Sequence, residues 1–142
     1  MITSGITEHK PPDGGTAPGT AWVGEARDLA GQWADAEGFP TEVIEDVRLV
    51  ASELVTNAIA HAAGSAGVLL RLYRCEGGAV VEVWDADANK VPEIGEPDVV
   101  HESGRGLFIV NSLTGGMWGW QRLADNKGKA TWARIPCTTT RT

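Results

Sequence analysis

What this chain lacks narrows it before any motif is read. It has two cysteines, Cys75 and Cys137, far apart and in no Cys-x-x-Cys or Cys/His cluster. That excludes a disulfide framework and a zinc site, and both are expected as reduced thiols. No apolar run approaches the ~18 residues of a membrane span, and the N-terminal stretch MITSGITEHKPPDGGTAPGT lacks the apolar centre of a secretory signal. A soluble, cytoplasmic protein with no membrane partner is the expectation. Basic residues are too few and too scattered for a phosphate-tracking stripe. With 12 Lys and Arg against 19 Asp and Glu, a formal net charge of -7, direct nucleic-acid contact is not expected. No internal repeat is visible.

What is present fits one folded domain. A chain of 142 residues, 42% hydrophobic and 22% charged, has room for one core and one site. Residues 1–19, rich in Gly, Pro, Thr and Ser, cannot offset the entropy of ordering and are expected as a flexible tail. The domain is expected over 20–136, and 137–142 as a frayed C-terminus. Val23, Ala26, Ala30 and Trp33 recur at helical spacing until Gly38 and Pro40, predicting a helix over 21–36 that Gly31 weakens. Thr41, read as an N-cap, and Glu42 open the longest periodic segment, a helix to about residue 63 that Gly64 stops. On it Val47, Val50, Ala51, Leu54, Val55, Ala58 and Ala62 cover one broad face. Asp46, Glu53 and Asn57 line a neighbouring stripe, with His61 at its edge.

GVLLRLYR and AVVEVWD, separated by Cys75-Glu76-Gly77-Gly78, predict an antiparallel hairpin. ADANKVPEIGEPDVVHES has no sustained period and is read as a functional loop or lid ending at Gly104-Arg105-Gly106. LFIVNSL then predicts a short helix, and 117–122 and 130–135 a second hairpin around Asp125-Asn126-Lys127-Gly128. Trp118, Trp120 and Trp132 are read as core and cross-strand packing. Strands and helices that do not strictly alternate predict an α+β fold, a two-layer sandwich of helices on one mixed, largely antiparallel sheet.

Three stretches can carry chemistry. Glu53, Asn57 and His61 are spaced i, i+4, i+8 on a helix otherwise made of Ala, Val, Leu and Ile. A carboxamide oxygen there suits Mg²⁺, and the neighbouring carboxylate can deprotonate an attacking group; alternatively both residues lie on a solvated face. His61 sits by phosphates or metal, or packs under the following loop. Asp85 closes an apolar strand just before a loop. Its carboxylate can accept a hydrogen bond from the exocyclic amine of adenine, where guanine presents an acceptor, or it can simply form a turn. Glu102-Ser103-Gly104-Arg105-Gly106-Leu107 leads into an apolar helix, where free N–H groups can meet phosphate oxygens; the bland alternative is a plain helix start. No Gly-Lys-Ser/Thr follows as in a Walker A loop, and no strand precedes as in a dinucleotide fingerprint.

ELVTNAIAHA, VEVWDADANKVP, ESGRGLFIV and GKATWARI, in this order, resemble the four boxes of the GHKL-type ATPase superfamily shared by gyrase, a heat-shock chaperone, sensor histidine kinases and the mismatch-repair protein MutL. More closely, the chain resembles the anti-sigma-factor serine/threonine kinase branch, over residues 20–135. The resemblance implies a Bergerat-type fold, ATP and Mg²⁺ as cofactors, and a site mapped residue by residue. In it Glu53 matches the general base, Asn57 the Mg²⁺ ligand, and Asp85 the adenine-binding aspartate. Gly104 and Gly106 match the backbone of the phosphate-covering lid, with Arg105 and Leu107 beside them, and Thr131 or its neighbour Ala130 borders the adenine pocket. The net acidity is no obstacle, since nucleotide sites take phosphates through local N–H groups and a metal ion.

One box departs from the pattern: Asp85-Ala86-Asp87-Ala88-Asn89 has no glycine where the superfamily often has two. Asn and Asp reach the required backbone conformations less easily, which predicts weaker nucleotide binding. Two functions therefore stand. The first is a kinase that phosphorylates Ser or Thr of an anti-anti-sigma protein and sequesters a sigma factor, with a homodimer as the family expectation. The second is a catalytically inactive module that binds ATP, or has lost it, and sequesters a partner. A sensor histidine kinase would need a helical hairpin bearing its phosphoacceptor, whereas His9 lies in a Pro/Gly-rich stretch. Topoisomerase, chaperone and repair relatives need further domains, for which this length leaves no space.

Overall fold

The computed structural model describes residues 5–11, 19–61, 68–86, 102–124 and 127–137, with the backbone alone at 19, 20, 61 and 102–106. The elements follow in the order β1 (Thr7–His9), α1 (Gly19–Ala36), α2 (Thr41–His61), β2 (Leu69–Cys75), β3 (Gly78–Asp85), α3 (Glu102–Thr114), β4 (Trp118–Arg122) and β5 (Lys129–Pro136). Helix α1 buries Trp22, Ala26, Ala30, Trp33 and Ala34; α2 buries Val43, Val47, Val50, Ala51, Leu54, Val55 and Ala58. These positions recur three and four apart, the stripe an amphipathic helix needs to dock, and the two helices pack on each other. A Cβ on Gly31 would lie 2.8 Å from the Arg48 side chain, so the glycine that weakens α1 by propensity lets that side chain cross it.

Side chains and glycine together set the helix ends. Gly38 takes φ 85°, its N–H donates to the Asp35 carbonyl at 3.0 Å, and the Phe39 N–H donates to that of Ala34 at 3.2 Å, a Schellman ending. Phe39 is thereby buried against Trp33, ring centroids 5.8 Å apart. Arg74 of β2 lies 4.3 Å over the Phe39 ring and donates to the Glu37 carbonyl at 2.8 Å, adding a cation where the helix dipole is negative. Thr41 is not the N-cap expected of it. The Ile44 N–H donates to the Pro40 carbonyl at 3.0 Å, which makes Pro40 the cap and Thr41 the first helical residue; the N–H that proline lacks has no intrahelical partner there.

All five strands form one sheet of order β1-β2-β3-β5-β4, and every ladder among the described residues is antiparallel. With α1, α2 and α3 packed on it, the architecture is the expected α+β sandwich, with no parallel pair described. Cys75 pairs Gly78, so the first hairpin turns on Glu76-Gly77 alone, with Gly77 at φ 83°. The alternation of side chains puts Leu70, Leu72, Val81, Val83, Ala133 and Ile135 in the helix-facing core. On the other face Arg71 joins Glu82 at 2.6 Å and Glu8 at 3.0 Å.

That last contact corrects the expectation of a wholly flexible tail over 1–19. Thr7–His9 pairs with β2, Glu8 opposite Arg71, because an edge strand's open N–H and C=O groups accept a short polar segment and an ion pair pins its register. Trp22 and Trp33 are in the core and Trp118 packs against it, with Trp118 Nε1 donating to Asn111 Oδ1 at 3.0 Å; Trp132 lies across Gly119, where a Cβ would be 2.8 Å from it, whereas Trp120, half-buried, has Arg122 of its own strand 5.2 Å over its ring. Neither cysteine is in a disulfide. No helix among the described residues is long and apolar enough to cross a membrane.

Gly38→Ala meets no atom within 4 Å, so only its positive φ is strained. Urea unfolding is expected to show a loss of about 1–2 kcal/mol. Burial first, then Glu42 and Glu45, raise the Asp46 carboxyl above its ordinary 3.8. Because the folded state favours the protonated acid, ionised Asp46 opposes folding once pH exceeds its raised value, and no such effect remains below 3.8. Asp46→Asn is therefore expected to raise the melting temperature at neutral pH, with the gain vanishing as pH falls below 3.8.

Candidate functional site

Buried polar groups are costly unless partnered, so where a small core keeps them is informative. Among the described residues the buried polar or charged side chains are Asn57, Asp85, Thr114, Lys129 and Thr131. Thr114 is explained locally, its hydroxyl donating to the Val110 carbonyl at 2.8 Å at the end of α3. The other four fall on α2 and on β3 and β5, the strands against which α2 packs.

Asp85 is the last residue of β3, has the parity of Val81 and Val83, and is 2% exposed. It therefore lies on the helix-facing side of the sheet, not in a solvated turn. Thr131 pairs Val83 on one side and Trp120 on the other and shares the face of Ala133. Ala130, the alternative position considered for the pocket border, has the opposite parity. Asn57 is 8% exposed on α2 and Glu53, one turn earlier, is half-buried. The stripe is thus graded from half-buried Asp46 and Glu53 to buried Asn57, which removes the solvated-face reading for Asn57.

The residue that sequence reasoning missed is Lys129. Its Nζ lies 3.0 Å from Oδ1 and 3.0 Å from Oδ2 of Asp85, and it is 1% exposed. The two residues face each other directly across the β3–β5 ladder. Beneath them the backbone closes tightly: Gly128 has φ 144°, and a Cβ there would run into the Asp85 carbonyl oxygen. Only glycine fits that spot. A signal for Lys129 was present in the alternation Lys129, Thr131, Ala133, Ile135, which puts a lysine on the inward parity of a strand, a position where an unpaired charge is not tolerated.

The Gly104-Arg105-Gly106 segment differs from the turn expected of it. Helix α3 starts at Glu102, so this backbone is already helical, because Leu107 and Val110, both 0% exposed, anchor the helix and propagate it back over the glycines. Leu107 itself is a core residue rather than part of the helix start. The side chains of His61 and Arg105 lie outside the described residues, as do Asp87 and Asn89.

The oxygen donors of Asn57 and Glu53 are compatible in kind with a hard cation. No group of three or more His, Cys, Asp or Glu that could hold a metal occurs among the described residues. Asn57 supplies an amide oxygen and Glu53 a carboxylate one turn away, a set suited to Mg²⁺, which keeps few protein ligands, and unsuited to a softer transition metal.

Gly128→Ala is expected to cost about 2 kcal/mol or more in urea unfolding, by backbone strain and by forcing Asp85 away from Lys129. The same substitution at Gly38 lacks the second effect, so the Gly128 variant is expected to be the less stable of the two.

Compared with known proteins, residues 18–135 match the family model for the histidine kinase-like ATPase domain. No curated protein matches the chain.

Proposed function

Because the chain belongs to the histidine kinase-like ATPase domain family, an ATP-binding family of the GHKL type, we propose that it binds Mg·ATP and acts as an anti-sigma-factor-type serine/threonine kinase. The acceptor is a Ser or Thr of an anti-anti-sigma protein, and the kinase also sequesters a sigma factor in the cytoplasm, as a homodimer. The observation that carries the nucleotide reading is the placement of Asp85: a buried carboxylate at a strand end, on the face that α2 covers.

Each residue has a physical role in this reading. Asp85 accepts a hydrogen bond from the adenine amine, and Thr131, two positions along β5 from Lys129, borders the base. Asn57 offers its amide oxygen to Mg²⁺, which when bound neutralises phosphate charge. The start of α3, up to Gly104, presents the free N–H groups of a helix N-terminus to the phosphates, with Arg105 and His61 adjacent, while Gly106 and Leu107 carry that turn into the core. Glu53 takes the proton of the acceptor hydroxyl onto a carboxylate oxygen. Positioning and electrostatics supply most of the rate in such transfers.

A second reading, a non-catalytic module that holds a partner with or without ATP, is favoured by one feature: Asp87 and Asn89 stand where the superfamily often has glycine. Incubation with labelled ATP, Mg²⁺ and candidate antagonists, followed by detection of phosphoserine or phosphothreonine, separates the two. Glu53→Gln is expected to abolish transfer, at least ~100-fold, while equilibrium binding of labelled ATP stays within error of the parent. Transfer that survives the substitution removes Glu53 from its role, and tight Mg²⁺-dependent binding without transfer in the parent supports the module.

A further inference from the structure

We infer that Lys129 determines base specificity by positioning Asp85: it holds the carboxylate in its acceptor-only form, so that the site takes a purine with an amine at C6 and rejects one with a carbonyl there. The inference rests on the nucleotide reading above and adds to it a residue and a selection rule.

The geometry is that of a dedicated clamp. Lys129 Nζ is 3.0 Å from each Asp85 oxygen, with the two side chains 1% and 2% exposed. Direct pairing across the ladder and the close approach of Gly128 to the Asp85 carbonyl fix the partners' backbones. A buried carboxyl without a cation favours its neutral form; one beside a buried ammonium stays ionised.

The protonation state decides what the carboxyl can read. An ionised Asp only accepts hydrogen bonds, whereas a protonated one also donates. A C6 amine donates, and is accepted by either form. A C6 carbonyl only accepts: against a carboxylate it leaves two acceptors face to face, but against a carboxylic acid it gains a hydrogen bond. Discrimination between the two purines therefore depends on keeping the proton off Asp85, which is the task of Lys129. Each carboxylate oxygen has two lone pairs, so engaging Nζ does not exhaust the acceptor.

The test is equilibrium binding of ATP and of inosine triphosphate, in Mg²⁺, to the full chain and to Lys129→Met and Lys129→Arg, each checked for folding by circular dichroism. Inosine triphosphate differs from ATP in carrying a C6 carbonyl and an N1 proton. The parent is expected to prefer ATP by about tenfold or more, Lys129→Met to bind the two within about threefold, and Lys129→Arg to restore the parental ratio. A merely structural role would weaken both ligands equally and leave the ratio alone. An unchanged ratio in Lys129→Met, or an equal loss in Lys129→Arg, overturns the inference. Should Lys129→Met not fold, Lys129→Gln, which keeps an N–H donor without the charge, is read by the same two outcomes. A parent that binds neither triphosphate overturns the nucleotide reading itself, and this inference with it.

Discussion

A lysine and an aspartate buried together at one end of the sheet are the constraint around which this molecule is arranged. Taking both charges out of water has an effective penalty of several kcal/mol per ion, which their mutual attraction offsets only with good geometry. That geometry is supplied from three directions: the antiparallel register sets the two residues opposite each other, Gly128 lets the backbones approach, and the helix layer excludes water. Apolar side chains at the same two places would serve stability as well or better. Stability alone therefore does not account for the pair.

The rest of the fold holds α2 against the two strands that carry the pair. Helix α2 packs against α1, α3, β3 and β5, so its apolar face is enclosed by the other elements. The Schellman turn at Gly38 and the Arg74 contacts with Phe39 and Glu37 set where α1 stops and α2 begins. With α2 so fixed, Asn57 is held buried on a helix that is otherwise rich in Ala, Val and Leu. Helix α3 is held in the same way, by Leu107 and Val110, which brings the glycine-containing first turns to a defined place against the helix layer.

Much of this was legible along the chain. The periodicity of Val47, Val50, Ala51, Leu54, Val55, Ala58 and Ala62 identified the α2 core face; the first six are buried, and Ala62 lies outside the described residues. The hairpins, the helix order and the α+β class followed from turn residues and period changes, and the ordered boxes pointed to the family that the match over 18–135 establishes. Differences arose where local rules compete with tertiary contacts. Thr41 has the chemistry of a cap, yet the hydrogen bonds begin at Pro40. The composition of 1–19 predicts disorder, yet Glu8 finds Arg71 across an open strand edge. Glycines at 104 and 106 suggest a turn, yet a helix anchored in the core extends over them.

By itself the sequence determined which segments form helices and strands and which of their faces turn inward, because period and polarity are local properties of the chain. Only the tertiary structure decided that Asp85 has a lysine for its partner. The two residues are distant in sequence and meet through strand register alone, and register is set by ladder hydrogen bonds and close backbone contacts that no local pattern encodes.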